Sequence, residues 1–155
     1  MNINSQKEVK TAYQDIIKNV RHHQPEARIK GVFVSQMISG GEEVILGIKR
    51  DPAFGAVVMF GLGGIYVEIF RDVSFRIAPL NRKIAGEMIR EIKSSAILFG
   101  ARGTVPKDTD SLINCILALS QLAMDFPQIR ELDINPLIVL EKGRGSYVAD
   151  AKIML

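Results

Sequence analysis

Two carboxylates and an amide close to the C-terminus are the residues of this sequence best suited to chemistry. In ELDINPLIVL the side chains of Asp133 and Asn135 fall on one face of a strand and those of Leu132 and Ile134 on the other, because strand side chains alternate with period two. A second run, SYVADAKIML, returns after the short linker Glu141-Lys142-Gly143-Arg144-Gly145. By the same alternation it sets Val148, Asp150 and Lys152 on one face. A tight hairpin brings Asp150 within a residue or two of the level of Asn135. Hard oxygen donors of this kind, completed by phosphate oxygens, are how Mg²⁺ is held beside a nucleotide. Spacing alone leaves a second reading open, in which Asp133 and Asn135 end a strand before Pro136 and Asp150 pairs with Lys152 in solvent.

Other polar groups carry weaker signals. Glu42 and Glu43 follow Gly40-Gly41 and open an apolar strand, so one of them points to the interior side of a sheet. Such an acid can bind ribose hydroxyls or orient a cation, or it can be an edge charge that discourages aggregation. Gly61, Gly63 and Gly64 allow close backbone approach to an anion, yet no helix follows them, so neither a P-loop nor a dinucleotide fingerprint is satisfied and a turn or bulge is the competing account. Arg76 offers a fixed positive charge for phosphate, or a salt bridge to Asp72 or Glu68. His22 and His23 close the first helix, where imidazoles suit the helix dipole, and no further ligand stands at metal-binding spacing. A Ser-His-Asp order and a GxSxG turn are both missing, which sets hydrolase chemistry aside.

The elements that must position these groups alternate between helical and strand periodicity. Val9, Ala12, Tyr13, Ile16, Ile17 and Val20 have the spacing of an amphipathic helix over 5–23, with Ser5 as N-cap. GVFVSQMI, EVILGIK and AVVMFG read as adjacent antiparallel strands, and IYVEIF and DVSFRIAPL continue the sheet. A helix is predicted over 81–95, a loop over 100–106, and a second helix from about Thr109 to Phe126 that is apolar on most sides and serves as the core helix. The fold class is α+β, a largely antiparallel sheet with helices packed on one side.

With 155 residues, 47% of them hydrophobic and 24% charged, the chain has the composition of one globular domain. Twenty basic against seventeen acidic residues, spread evenly, with 6% aromatics and no Trp, do not make a nucleic-acid surface and suit a small anionic ligand better. The single Cys115 sits in an apolar helical setting and excludes an internal disulfide, pointing to a reducing cytoplasm. The N-terminal residues lack the apolar core of a secretion signal, and no run reaches membrane-spanning length.

Four blocks in fixed order, RDPAFG, FGLGGIYVE, SFRIAPL and LDINPL, followed by VADAKIML, resemble the C-terminal part of the ATP-grasp domain in ADP-forming acyl-CoA (acetate–CoA) synthetases and, more distantly, the β chain of succinyl-CoA synthetase. The resemblance implies a part of an enzyme that interconverts acyl-CoA, ADP and phosphate with free acid, CoA and ATP. By position it implies that Asp133, Asn135 and Asp150 are ligands of nucleotide-bound Mg²⁺. Gln36 and Met37 match a hinge whose backbone meets adenine, and Glu43 an acid near the nucleotide; Gly61, Gly63, Gly64 and Arg76 match a region near the transferring phosphate.

It also implies a division into 1–38, the last helix and strand of a first ATP-grasp subdomain, and 39–155, the second subdomain. The rest of the first subdomain, with its phosphate-gripping lysine and phosphohistidine segment, and the CoA-binding subunit are then expected partners from outside this chain. His22 and His23 are not the family's phosphohistidines. Phosphoryl transfer rests on positioning and charge stabilisation, so the chain alone is expected to be inactive or nearly so. The alternative is a noncatalytic assembly or regulatory module with the same fold.

Overall fold

The computed structural model describes residues 3–64, 69 and 71–155, with the side chain of Arg102 excepted. The run IYVEIF, expected to be a strand, and Glu68 within it lie outside the described residues, save for Ile69. The chain divides into two compact units, Met1–Ser39 and Gly40–Leu155.

In the first unit, Ser5 and Glu8 start the helix α1, Gln6–His23: the Ser5 hydroxyl accepts from the Glu8 amide and the Glu8 carboxylate accepts from the Asn4 amide. Arg21, His22 and His23 occupy its last turn. The run GVFVSQMI does not become a strand. A strand is held by a ladder, and this unit offers only a helix, so Phe33 is left 91% exposed and Val34 and Met37 are exposed as well.

The second unit is built from β1 (Glu42–Asp51), β2 (Gly55–Leu62), β3 (Val73–Ile77), α2 (Arg82–Glu91), α3 (Thr109–Asp125), β4 (Glu131–Val139), β5 (Ser146–Val148) and β6 (Ala151–Met154). The strands form one antiparallel sheet in the order β3-β2-β1-β4-β5, with β6 also paired to β4. Alternation in β1 and β2 sends Val44, Leu46, Ile48, Val58, Phe60 and Leu62 to one face. There they are fully buried against Met88 and Ile89 of α2 and Leu112, Ile116 and Leu119 of α3. Each such side chain contributes about 1.5–3 kcal/mol of apolar burial, which makes this layer the source of stability. Within the second unit, α2 and α3 both pack on this one face of the sheet.

Four polar groups fix the helices on this sheet. Asn81 caps α2, accepting from the Ile84 amide, but the helix ends at Glu91 rather than 95. The buried carboxylate of Asp72 accepts from the Lys93 amide and from the amide and hydroxyl of Ser94, and so turns the chain into the 3₁₀ segment Lys93–Ile97. Asp108 caps α3 through the Ser111 amide at 3.0 Å. At the other end of α3 the Arg50 guanidinium donates to the Ala123 carbonyl, at 2.7 Å, one of the groups that a helix C-terminus leaves open, and to the Ile129 carbonyl beyond the helix, at 3.1 Å.

The last strands depart from simple alternation. Leu46 pairs with Ile134 and Val44 with Leu137, so Asn135 and Pro136 together oppose the single residue Ile45. This β-bulge reverses the facing of the strand, and Leu132 and Leu137, five positions apart, both enter the core. The returning strand is broken at the same level, between β5 and β6. Val148 pairs with the core residue Leu137, whereas Lys152 pairs with Asp133 on the other face; the single face expected for Val148 and Lys152 is therefore not formed.

Candidate functional site

The open face of the sheet is organised in rows that run across the strands. Phe75 pairs with Met59, Met59 with Gly47, Gly47 with Asp133 and Asp133 with Lys152, so one row crosses the whole sheet from β3 to β6. Directly opposed residues in antiparallel strands project to the same side, which puts these five on the face away from the helices. Gly47 makes the floor of the row: a Cβ there would stand 3.3 Å from the Leu132 carbonyl and 3.4 Å from the Met59 methyl. Around it Met59, Val57, Phe75, Lys49, Glu131 and Asp133 line a shallow depression of about 150 Å³.

The next row holds Val73, Gly61 and Ile45, then the bulge residues Asn135 and Pro136. Asn135 and Asp150 meet here through the backbone, the Asn135 amide donating to the Asp150 carbonyl at 3.2 Å, and the Ala149 amide donates to the Pro136 carbonyl at 3.0 Å. The Asp150 carboxylate is exposed and accepts from its neighbour's amide, Ala151, at 2.9 Å. It takes no part in the ion pairs among the described residues, so the pairing with Lys152 considered above is not formed. Asp133 and the Asn135–Asp150 pair thus stand two rungs apart on one hairpin, with Ile134 opposite Ala151 between them. Two carboxylates and an amide oxygen are a donor set that suits a hard divalent cation. No group of three or more His, Cys, Asp or Glu side chains gathers among the described residues, so any such site requires the Asn135 amide.

One rung beyond Ile45, Glu43 lies on the open face, exposed, and meets the glycine segment. The Gly63 amide donates to the Glu43 carbonyl at 2.7 Å, and a Cβ on Gly63 would stand 2.9 Å from that oxygen. Gly63 is therefore needed for close approach of two backbones, and Gly64 takes a positive φ of 60° that glycine adopts most readily. Glu42 takes the helix-side face and is half-buried. Burial pushes its carboxyl up from the ordinary value, Lys107 pulls it down and Glu43 adds to the rise.

Arg76 is the sequence candidate that is not brought to this face. It pairs with Val58, whose side chain is in the core, and its guanidinium forms an ion pair with Glu91 of α2, rather than with Asp72. Gln36 and Met37 are exposed in the first unit, where Met37 lines an apolar groove with Val9, Tyr13, Ile16 and Phe33. His22 and His23 contact one another edge to face, with ring centroids 5.1 Å apart. Cys115 is partly buried, its thiol 3.4 Å from the Ser146 hydroxyl. The residues missed by reading the sequence are Lys152, which a count outward from the Glu141–Gly145 linker sets within one residue of the level of Asp133, and Asp108, an Asp just before an apolar helical run and so a candidate N-cap. No helix among the described residues is long and apolar enough to cross a membrane.

A family model of the ATP-grasp domain matches residues 1–155. The 4-hydroxybutyrate–CoA ligase [ADP-forming] of Nitrosopumilus maritimus is 46% identical over 155 residues, all of this chain but 22% of that protein. The acetate–CoA ligase [ADP-forming] II subunit beta of Pyrococcus furiosus is 46% identical over 156 residues, which cover this chain and 66% of the subunit. Among solved structures, the Ca. Korarchaeum cryptofilum dinucleotide forming acetyl-coenzyme A synthetase 1, in complex with coenzyme A and Mg-AMPPCP, superposes with a TM-score of 0.87 at 40% identity over all of this chain and 66% of that one. The chain thus spans about a fifth of the first relative and about two thirds of the other two.

Proposed function

Since the chain belongs to the ATP-grasp domain family, with the α+β fold of its solved relatives, we propose that it is the nucleotide- and Mg²⁺-binding portion of an ADP-forming acyl-CoA synthetase, acting on acyl-CoA, ADP and phosphate to give acid, CoA and ATP. The observation that carries this reading is the register of the final hairpin, where Asn135 and Asp150 stand opposite one another and Asp133 lies two rungs away, next along the same strand face.

Under this proposal Asp133, Asn135 and Asp150 hold the cation. When bound, Mg²⁺ supplies charge neutralisation at the nucleotide phosphates. The chain's own part is positional: the hairpin fixes the oxygens, Gly61, Gly63 and Gly64 leave room for the phosphates where a side chain would stand, and Glu43 stands at the nucleotide's edge of the sheet. Residues 1–38 are the end of the first ATP-grasp subdomain and 39–155 the second. Arg76 acts at one remove, anchoring β3 to α2 through Glu91. The part of the relatives outside the matched region, and a CoA-binding subunit, supply the remaining groups in the cytoplasm, and this chain without them turns over little or no substrate.

Isothermal calorimetry with MgADP on the wild type and on Asp133→Ala tests the assignment. The expected result is a Mg²⁺-dependent affinity that the variant loses by about tenfold or more. Equal binding by the two proteins would refute the assigned role.

A further inference from the structure

We propose that Lys152 is a phosphate-binding residue of this site, directed to the nucleotide by the same cation that occupies Asp133. The inference rests on the metal–nucleotide reading above and adds to it a charge that the ligand set lacks.

Lys152 is directly opposite Asp133 in the β4–β6 ladder, so the two side chains leave the sheet on the same face as neighbours. It follows Asp150 by two residues, and Asp150 is bonded through its carbonyl to the Asn135 amide. Lys152 is exposed and forms no ion pair among the described residues, whereas Arg76 and Arg82 are tied to Glu91 and Asp110. Lys49 lies on the same face, but its neighbour across the ladder is Glu131, a carboxylate outside the ligand set.

Charge accounting gives Lys152 its task. Two carboxylates balance one divalent cation, which leaves the di- or triphosphate of a nucleotide uncompensated on an open face. Without metal, the ammonium of Lys152 is stabilised by Asp133. With metal on Asp133, the ammonium no longer feels a net negative neighbour and faces the added positive charge, and a phosphate oxygen is the group that compensates both. An ammonium on a flexible stem serves as such a point charge without a demand for planar geometry.

The consequence is a pair of effects of opposite sign. Mn²⁺ alone should bind Lys152→Gln a few-fold more tightly than wild type, since a repelling charge has been removed from beside the ligands. MgADP and MgATP should bind the same variant about tenfold more weakly, with Lys152→Arg retaining most of the affinity. A lysine that only supported the fold would move both affinities in one direction. Titrations of the full chain, with Mn²⁺ read by paramagnetic broadening of amide signals in β4 and β6 and with MgADP by calorimetry, decide the matter, with Asp150→Asn as the reference for the metal. MgADP affinity within twofold of wild type in Lys152→Gln, alongside lost metal binding in Asp150→Asn, overturns the role of Lys152 and leaves the metal site standing. Unchanged Mn²⁺ binding in Asp150→Asn overturns the metal site itself, as does a wild-type chain that takes neither probe.

Discussion

The carboxylate of Asp108 accepts from the amide of Gly145 at 2.9 Å, joining the first turn of α3 to the loop that carries the final hairpin. The same side chain accepts from Ser111 and Gly143, so one buried acid satisfies three amides from two distant segments. Asp108→Ala should destabilise the second unit by about 2–4 kcal/mol, since a cap is lost and buried donors are left open. Urea denaturation with an unchanged m-value would measure it, and Asp108→Asn should lose less.

Stability should also depend on acid through Asp108 and Asp72. At Asp108 the Ser111 amide, then that of Gly145, outweigh burial and, with Gly143 and Lys142, hold the carboxyl below its ordinary value. At Asp72 burial is the largest influence and acts upward, but the bonds from Ser94 and Lys93 exceed it and the net direction is down. A depressed carboxyl contributes stability that is present above the unfolded value, about 4, and is lost as pH falls through the folded one. Denaturation midpoints should hold from neutrality to about pH 4 and then drop, and Asp108→Asn should flatten that drop. Glu42, whose carboxyl is raised, has the opposite sign: its contribution is present below about pH 4 and lost as pH rises through its folded value, so Glu42→Gln should help most near neutrality.

Arg50 is a cap made by a side chain from a neighbouring strand. Arg50→Met retains much of the apolar stem and removes the donors to Ala123 and Ile129, with an expected cost of about 2 kcal/mol. Lysine cannot reproduce the fork, so Arg50→Lys should recover less than half of the loss in thermal unfolding.

At Gly63 even one methyl group is too much. Its Cβ would approach the Glu43 carbonyl to 2.9 Å, and backbone cannot move aside as a flexible side chain does. Gly63→Ala should cost about 1–3 kcal/mol and shift the amide signals of Glu43 and Val44, whereas Gly64→Ala, which meets no atom of the described residues within 4 Å, should cost the strain of φ +60°, about 1–2 kcal/mol.

Metal and nucleotide together should raise the unfolding temperature, since a ligand of the folded state stabilises it by mass action. With millimolar Mg²⁺ and ADP the wild type should shift upward; EDTA or Asp150→Ala should remove the shift. A nucleotide-induced shift that survives EDTA would contradict the assigned ligand set.

The strands β1 to β3 and the core helix were legible because alternation in VILGI and VVMF, and the apolar wheel of Leu112, Ile116 and Leu119, are driven by one burial surface. The failures lie where a distant partner decides. Nothing local to residues 81–95 says that Asp72 will take the amides of Lys93 and Ser94 and stop α2. Nothing in GVFVSQMI says that it lacks a neighbouring strand. For the candidate site, the level of Asn135 and Asp150 was readable from the linker between their strands. The reversal at Asn135-Pro136 was not, because a bulge is set by the register with β1, which no pattern within β4 contains.

That bulge divides the strand into two halves of opposite phase, and the amino-acid spacing of both is written around it. Removal of one residue at 135–136 would bring the halves back into step, leaving a better-looking strand and a worse protein. Either Leu137 and Val139 would turn out into water, or Asp133 and Lys152 would be driven beneath the helices. The irregularity is what allows a single ribbon to serve oil on one stretch and charge on the next.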